Sequence, residues 1–336
     1  MARVGIREVA ALAEVSLGTV SHYINHPDRV SPEKQERIQR AIDQLGFVRN
    51  NAAWQLRLGR SGTIAYIAPD VSNPFFATIA EGVEQRAAEQ DLSVFISNSN
   101  HNRAREDAYL AMFEEQRVQG MLVASHEPIE DRLKQVRQRG IPSVLVGQRA
   151  TSPDQSSVST DDLLGGYLAT KHLLDTGRRR IAYVGGPVSI RQVADRLEGA
   201  TKAVREVPDA TIEVIAVTNR TIVDGREVGS AIAARPPVNR PDAVFAVNDL
   251  TALGMLQTLV EHGVKVPDEV AVVGYDDIEF AASSLIPLST IRAPHEGFGI
   301  AAVDLLSAEM AGEPIANRHI VFEPELVIRS STVGGA

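Results

Sequence analysis

Side chains able to do chemistry first collect in Ile6 to Asn25, IREVAALAEVSLGTVSHYIN. Its apolar residues, Ile6, Val9, Ala10 and Ala13, then Val15, Val20 and Ile24, keep helical spacing. Two short helices broken at Glu14-Val15 is the simplest reading, with Ser16 as N-cap of the second. That helix exposes Leu17, Gly18, Ser21, His22 and Asn25, short or hydrogen-bonding groups suited to reading base edges. A short helix, a tight turn and a second short helix form the helix-turn-helix, whose second helix lies in the DNA major groove. The plainer alternative is an ordinary helical hairpin in a small core.

The neighbouring elements support such a module. Asn25 to Val30 is a turn, and Ser31 and Pro32 open a third helix as cap and first residue, with Glu33 near its positive end. Ile38, Ala41, Ile42 and Leu45 give it one apolar face, and Gly46 closes it. Asn50 to Arg60, NNAAWQLRLGR, is too short to hold a helix alone in water. Residues 1–60 carry nine Lys and Arg against six Asp and Glu, a net +3, whereas the 336-residue chain carries -9, leaving -12 on the rest. A cationic end on an acidic body suits DNA contact confined to that end.

The length fits about two or three domains. With no cysteine, a disulfide framework, a thiolate nucleophile and a Cys-based zinc site are all excluded. No apolar run approaches the roughly 18 residues a spanning helix needs, and no apolar signal core opens the chain, so the expected location is cytoplasmic, associated with the nucleoid, with no membrane partner. From Ser61 short apolar runs alternate with amphipathic stretches: TIAYIAP, LSVFISN, GMLVA and SVLVG, then RIAYVGG, AVFAVN and VAVVGYDD. That alternation predicts parallel sheets built from βαβ units, here two doubly wound lobes, with any ligand at the carboxyl ends of the strands between them. No G-x-G-x-x-G follows TIAYIAP or RIAYVGG, and Walker A, G-x-S-x-G and H-E-x-x-H are absent. The eight histidines show no metal spacing. The expectation is no enzyme, no catalytic residue, no metal and no cofactor. A transport-linked solute receptor would share the core but need an export signal and lack the basic head.

VSxxTVSxxxN, RVSPExxxRI, LGF and NxxAxxLR stand in the order and spacing of one family, and the segment carrying them resembles the DNA-binding headpiece of the lactose/galactose-repressor (LacI) family. DVSNPFF, GYLATKHLLDTGRRRIAYVGG, ADRLEG, AVFAVNDLTALGML and VAVVGYDDIEFA extend the resemblance over nearly the whole chain. It implies that Leu17, Gly18 and His22 face bases; with Thr19, Ser21, Asn25 and Arg29 they form the expected DNA-contacting set. It also implies a hinge helix over Asn50 to Leu58 that forms only on DNA, with Leu56 as an apolar wedge between base pairs in the minor groove. Two departures stand out. His22 replaces the usual arginine, whose bidentate contact to guanine a single imidazole hydrogen bond cannot reproduce, and Glu14 stands where a turn glycine is common. The turn either tolerates strain or differs in geometry.

The fold implied is a small all-α helix-turn-helix headpiece on an α/β core of two doubly wound parallel-sheet lobes, periplasmic-binding-protein-like, type I. The expected boundaries are 1–48 for the headpiece, 49–60 for the hinge, 61–160 plus 291–321 for the first lobe and 161–290 plus 322–332 for the second. Crossings between lobes are expected near Thr160, Thr290 and Val321. Matching the family's effector pocket are Phe75 or Phe76, able to stack on a sugar face or a base, Arg196, Asn248 and Asp276, with Ser125, Arg149 and Arg220 completing the set. Arg, Asn, Asp and an aromatic suit a polyol, whose hydroxyls both give and accept hydrogen bonds. Plainer roles stay open: Asn248 as a helix cap, Arg196 in an ion pair with Asp195 or Glu198, and Asp276-Asp277 as a turn cap or metal pair. Phe75 and Phe76, diverging by about 100° as helical neighbours, are not expected to line the cleft together. Arg220 stands where some members carry a second aromatic, and Gln148-Arg149 replaces a more usual acidic residue and arginine. Arg149, Arg196 and Arg220 around one cleft would favour an acidic or phosphorylated sugar. The functional expectation is a ligand-responsive transcription regulator, most simply a repressor. It would bind a near-palindromic operator in double-stranded DNA as a homodimer and take a carbohydrate effector in the cleft. The alternative effector is a nucleobase, nucleoside or phosphorylated metabolite.

Overall fold

The computed structural model describes residues 4–47 and 62–334, and the chain divides into two compact units, Met1–Ser61 and Gly62–Ala336. The expected hinge at 49–60, Leu56 included, lies outside the described residues. In the first unit α1 (Ile6–Leu12), α2 (Leu17–Asn25) and α3 (Pro32–Leu45) close around Val9, Ala13, Val20, Val30, Ile38 and Ala41. Glu14 sets the break before α2 with a left-handed backbone at φ 50°. Glutamate has no intrinsic preference for that region. Arg37 on α3 holds the turn, donating to the Glu14 carbonyl at 3.2 Å and to its carboxylate at 3.0 Å. Ser16 caps α2, its Oγ accepting from the Thr19 amide at 3.1 Å, and Gly46, at φ 60°, ends α3. Ser31, in contrast to the sequence reading, makes no capping hydrogen bond through its side chain. Pro32 alone, with its fixed φ, pre-forms the start of α3.

In the second unit the first series runs β1 (Thr63–Ala68), α4 (Pro74–Ala88), β2 (Ser93–Asn98), α5 (Arg103–Glu115), β3 (Met121–Val123), α6 (Glu130–Gln138), β4 (Ser143–Val146) and β5 (Ser156–Thr160). A second follows as α7 (Asp162–Asp175), β6 (Arg180–Val184), α8 (Arg191–Arg205), β7 (Thr211–Ile215), α9 (Ile222–Ala233), β8 (Ala243–Ala246), α10 (Asp249–Glu261), β9 (Ala271–Asp276), α11 (Glu279–Ser283) and β10 (Ser289–Arg292). Last come α12 (His295–Ala311), β11 (His319–Phe322) and β12 (Glu325–Val327). Two six-stranded sheets result, ordered β11-β5-β4-β3-β1-β2 and β12-β10-β9-β8-β6-β7. Only the β12 pairing is antiparallel among those described.

Each sheet is covered on both faces, which is why its central strands read as unbroken apolar runs. Along β1, Ile64, Tyr66 and Ala68 pack with Phe298, Ala302 and Leu306 of α12, while Ala65 and Ile67 pack with Leu110, Phe113 and Leu133 on the opposite face. Each large apolar side chain so buried contributes roughly 1.5–3 kcal/mol. In the second lobe Tyr183, Phe245 and Tyr275 meet the α7–α8 layer, and Val184, Val244 and Val272 meet α10. Gly166 and Gly199 let α7 and α8 touch, since a Cβ on either would run into a backbone carbonyl of the other helix.

The chain crosses between lobes three times, after β5, β10 and β11. The second and third crossings lie later than the sequence reading placed them. β10 stays in the second sheet as far as Arg292, paired with Asp276, and β11 stays in the first as far as Phe322, paired with Thr160. Residues 291 and 292 therefore belong to the second lobe and residue 322 to the first. The ladder carries each strand on until Pro294 and Pro324 stop it.

Candidate functional site

Two sets of residues emerge, one in each unit. On α2 the side chains of Leu17 and His22 are exposed, as is Gly18, and Arg29 is exposed beyond the helix. Thr19, Ser21 and Asn25 are half-buried: Thr19 Oγ1 lies 2.8 Å from Ser16 Oγ, and Asn25 Nδ2 donates to the Ser21 carbonyl at 2.6 Å. The face left for a partner is thus centred on Leu17, Gly18 and His22.

The second set surrounds a cleft of about 750 Å³ within the second unit, at the carboxyl ends of both sheets. The first lobe supplies residues following β1, β2, β3 and β4, among them Phe75, Phe76, His101, Ser125 and His126. The second supplies Gln192 and Arg196 from α8, Arg220 before α9, Asn248 after β8 and Asp276 at the end of β9.

Arg196 is fixed by its own lobe. Its Nε donates to Asp162 at 2.8 Å, one terminal nitrogen donates to the Val247 carbonyl at 2.6 Å, and the other lies 3.9 Å from Asp276. The guanidinium carbon stands 3.5 Å over the Tyr275 ring. Its ion-pair partners are therefore Asp162 and Asp276, not Asp195 or Glu198. Burial pushes the Asp162 carboxyl up, and Arg196 pulls it back. Burial likewise pushes Asp276 up to about 7, with Arg196 opposing and Asp162 adding to the rise. Burial thus favours the protonated form of Asp276, which can give as well as accept a hydrogen bond. Asp277 is no metal partner for it, being engaged by Arg292 at 2.6 Å and Arg329 at 2.7 Å.

Asn248 does cap α10, accepting from the Thr251 amide at 3.0 Å, and its Nδ2 donates to the Arg220 carbonyl at 3.0 Å, so cap and cleft residue are one. Arg220, left-handed at φ 59°, reaches across the cleft. It donates to the Gly186 carbonyl at 2.8 Å and lies 3.3 Å from Nδ1 of His126 on the first lobe. A second cross-lobe contact joins Gln192 to the Gly147 carbonyl at 2.9 Å.

Two expectations are corrected. Arg149 is exposed and does not line the cleft; β4 ends at Val146, Gly147 turns at φ 85°, and the chain has left the rim two residues later. Phe75 and Phe76 both line it, their rings edge to face with centroids 4.8 Å apart. The cleft wraps over the N-terminal turn of α4, so neighbours that diverge around the helix still reach it. Phe76 also belongs to the first-lobe core. Ser125 lines the cleft with its Oγ accepting from the Glu127 amide at 3.1 Å.

Sequence reasoning missed Asp70, His101, His126, Gln192 and Asn219. The histidines were accessible to the rule that sites lie beyond strand ends, since His101 and His126 follow LSVFISN and GMLVA within three residues. Gln192 carries no such signal.

Compared with known families, residues 5–50 match bacterial regulatory proteins of the lacI family, and residues 170–332 match a periplasmic binding protein-like domain. The HTH-type transcriptional repressor PurR of Photobacterium profundum is 33% identical over 332 residues, covering 97% of this chain and 98% of that protein. Among solved structures, a transcriptional regulator CelR-cellobiose complex is 32% identical with a TM-score of 0.72, covering 98% of this chain and 100% of the other. The lac repressor dimer bound to operator and the anti-inducer ONPF has a TM-score of 0.85 over 99% of this chain and 100% of the other, at 24% identity, a likeness of fold.

Proposed function

The chain belongs to the LacI family of bacterial regulatory proteins and is a DNA-binding transcriptional regulator, not an enzyme; from that premise we propose a repressor that grips a near-palindromic operator as a homodimer and answers a carbohydrate in its cleft. The observation that carries this reading is the convergence of Arg196, Asn248 and Asp276 from one lobe with Phe75, Phe76 and Ser125 from the other around one cavity. A ligand held by both lobes favours one disposition of them over another, and so changes the population of the DNA-competent state. Hydroxyls need partners that both give and accept, which Asn248 and Asp276, its protonated form favoured by burial, provide. The Phe75 and Phe76 rings stand at 81° to each other, offering one apolar face to a sugar rather than a two-sided slot for a base. The similar regulator solved with cellobiose is consistent with this choice.

On DNA, Leu17, Gly18 and His22 would read the half-site, with Leu56 wedged into the central minor groove. For the dimer, the second lobe exposes Val260 and Leu285, the last 91% accessible, at the wall of a hollow lined also by Leu253, Leu256 and Ile286. A projecting leucine next to an apolar hollow fits the self-complementary surface of a two-fold interface.

The test is selection of operators from randomised duplexes with the full chain, followed by titration with sugars and nucleobases while operator affinity is read by fluorescence anisotropy. A neutral or acidic sugar should shift operator affinity by about tenfold, within the usual range of allosteric coupling. A response to nucleobases alone would replace the carbohydrate reading. Leu56→Ala should weaken operator binding and leave sugar affinity unchanged; equal loss of both would remove the wedge role.

A further inference from the structure

The two arginines of the cleft differ in their counter-charge. Arg196 is paired with Asp162 and approaches Asp276. Arg220 is half-buried and accepted only by the carbonyls of Gly186 and Thr218 and by the His126 ring; none of the ion pairs among the described residues includes it. Burial and the charge of Arg196 both pull its guanidinium below the ordinary arginine range, with Asp224 and Tyr183 opposing from beyond ion-pair distance. A cation removed from water without a carboxylate is costly unless a ligand supplies one.

Beside it stand two imidazoles. Nδ1 of His101 and Nδ1 of His126 are 3.1 Å apart, with the rings 7° from parallel and their centroids 5.1 Å apart. The nitrogens are closer than the ring centres, so the rings meet edge to edge. Arginine can only donate, so His126 Nδ1 is the acceptor for Arg220, and His101 Nδ1–H is then the donor between the rings. Burial holds both imidazoles below their ordinary pKa; Arg220 adds to this for both, Arg196 for His126, while Asp70 opposes it for His101. The Asp70 carboxylate is already engaged, its Oδ1 accepting from the Ser72 amide at 2.9 Å and hydroxyl at 2.6 Å.

Resting on the carbohydrate reading above and deepening it, we propose that Arg220, His126 and His101 form an anion subsite, so that the effector is a sugar bearing a carboxylate or a phosphate. An oxyanion entering between Arg220 and His126 takes over from the imidazole lone pair as acceptor for the guanidinium. His101 exchanges its proton from Nδ1 to Nε2 through solvent, the His126 Nδ1 lone pair then binds a proton from solvent, and its N–H becomes a second donor, shared between the ligand and the His101 Nδ1 lone pair. Binding is therefore accompanied by proton uptake and weakens as pH rises. Because Arg220 and His126 belong to different lobes, the same oxyanion ties the lobes together.

The experiment is calorimetric titration of the full chain with sulfate, whose charge does not change across the range, at about pH 6 and about pH 8, either side of the ordinary imidazole pKa. Buffers of different ionisation enthalpy count the protons. Sulfate should bind with net proton uptake, more tightly at the lower pH, and about tenfold or more weakly in Arg220→Met, the loss expected when a charged hydrogen-bond donor is removed. Arg220→Lys should keep most of the binding, and His126→Gln should bind with less proton uptake. No sulfate binding, or binding undiminished in Arg220→Met, overturns the subsite; an adventitious ion only, held elsewhere, gives the second result. Parallel titrations with glucose and galactose, their uronates and their 6-phosphates separate the sources. Preference for uronates over phosphates, or the reverse, names the anion, and either must depend on Arg220. Neutral hexoses bound as tightly as their anionic partners, and equally by Arg220→Met, would overturn the subsite and leave the carbohydrate reading standing. Sulfate binding through Arg220, with an operator response to nucleobases alone, would keep the subsite and discard the carbohydrate.

Discussion

Each end of the cleft is built around one arginine, and the two ends solve the burial of its charge in opposite ways. At the end formed by Arg196, Asp162 and Asp276, cation and carboxylates compensate each other inside the protein, and the Tyr275 ring backs the guanidinium. At the end formed by Arg220, His126 and His101, donors meet only carbonyls and a lone pair. The first end is a fixture of the second lobe that also faces the cleft. The second spans the lobes and leaves its cation without a direct ion pair among the described residues. Compensation also sets the direction of each end's pH response. Burial favours neutral Asp276 at one end and neutral imidazoles at the other, so rising pH costs stability at the first and falling pH costs it at the second.

The sharpest way to break the comparison is Arg196→Ala. It leaves Asp162 buried without a partner and should destabilise the core by about 3–5 kcal/mol, measured by urea unfolding. A loss no larger than that of a surface substitution would mean that the pair is not compensating a buried charge.

Asp276→Asn comes next. The folded-state pKa of about 7 lies above the ordinary 3.8, so wild-type stability contributed by this group is full below about pH 4, declines up to about pH 7 and is level beyond. The variant lacks that decline. Its stability relative to wild type should grow across the window by up to roughly 4 kcal/mol while its ligand response disappears, as read by unfolding at stepped pH and by operator release. A gap independent of pH would show that Asp276 is ionised throughout.

An effect of opposite sign in pH is expected from His126→Gln. The wild-type imidazole titrates below its ordinary range, so its contribution is intact above about pH 6.5 and is lost as pH falls below that value. The variant should therefore lose less stability on acidification. Matching acid limbs for the two proteins would put the imidazole's charge in solvent.

The smallest change in stability belongs to Arg220→Met, within about 1 kcal/mol, because no ion pair is broken. A loss matching that of Arg196→Ala would erase the contrast between the ends.

Much of this architecture was legible in the residues. The 3.6-residue period around Ser16 and the capping serine mark two helices and the break between them, and the Ser16 bond to Thr19 is local. Runs such as TIAYIAP specify strands buried on both faces, and the resemblance to the family's effector pocket pointed to Asn248 and Asp276, both at strand ends. Arg149 came from the same resemblance and does not line the cleft, because one glycine at φ 85° re-aims the chain after β4.

The sequence alone thus determined the elements, their order, and the residue types at the strand ends, because periodicity, capping and turn chemistry act over a few neighbouring positions. Only the tertiary structure decided which of those residues share the cleft and which charges are answered. Asp162, Arg196 and Asp276 meet within one lobe, and His101, His126 and Arg220 meet only because two sheets bring their ends together. The energy of a buried charge depends on whatever surrounds it in space, and distance along the chain carries no record of that.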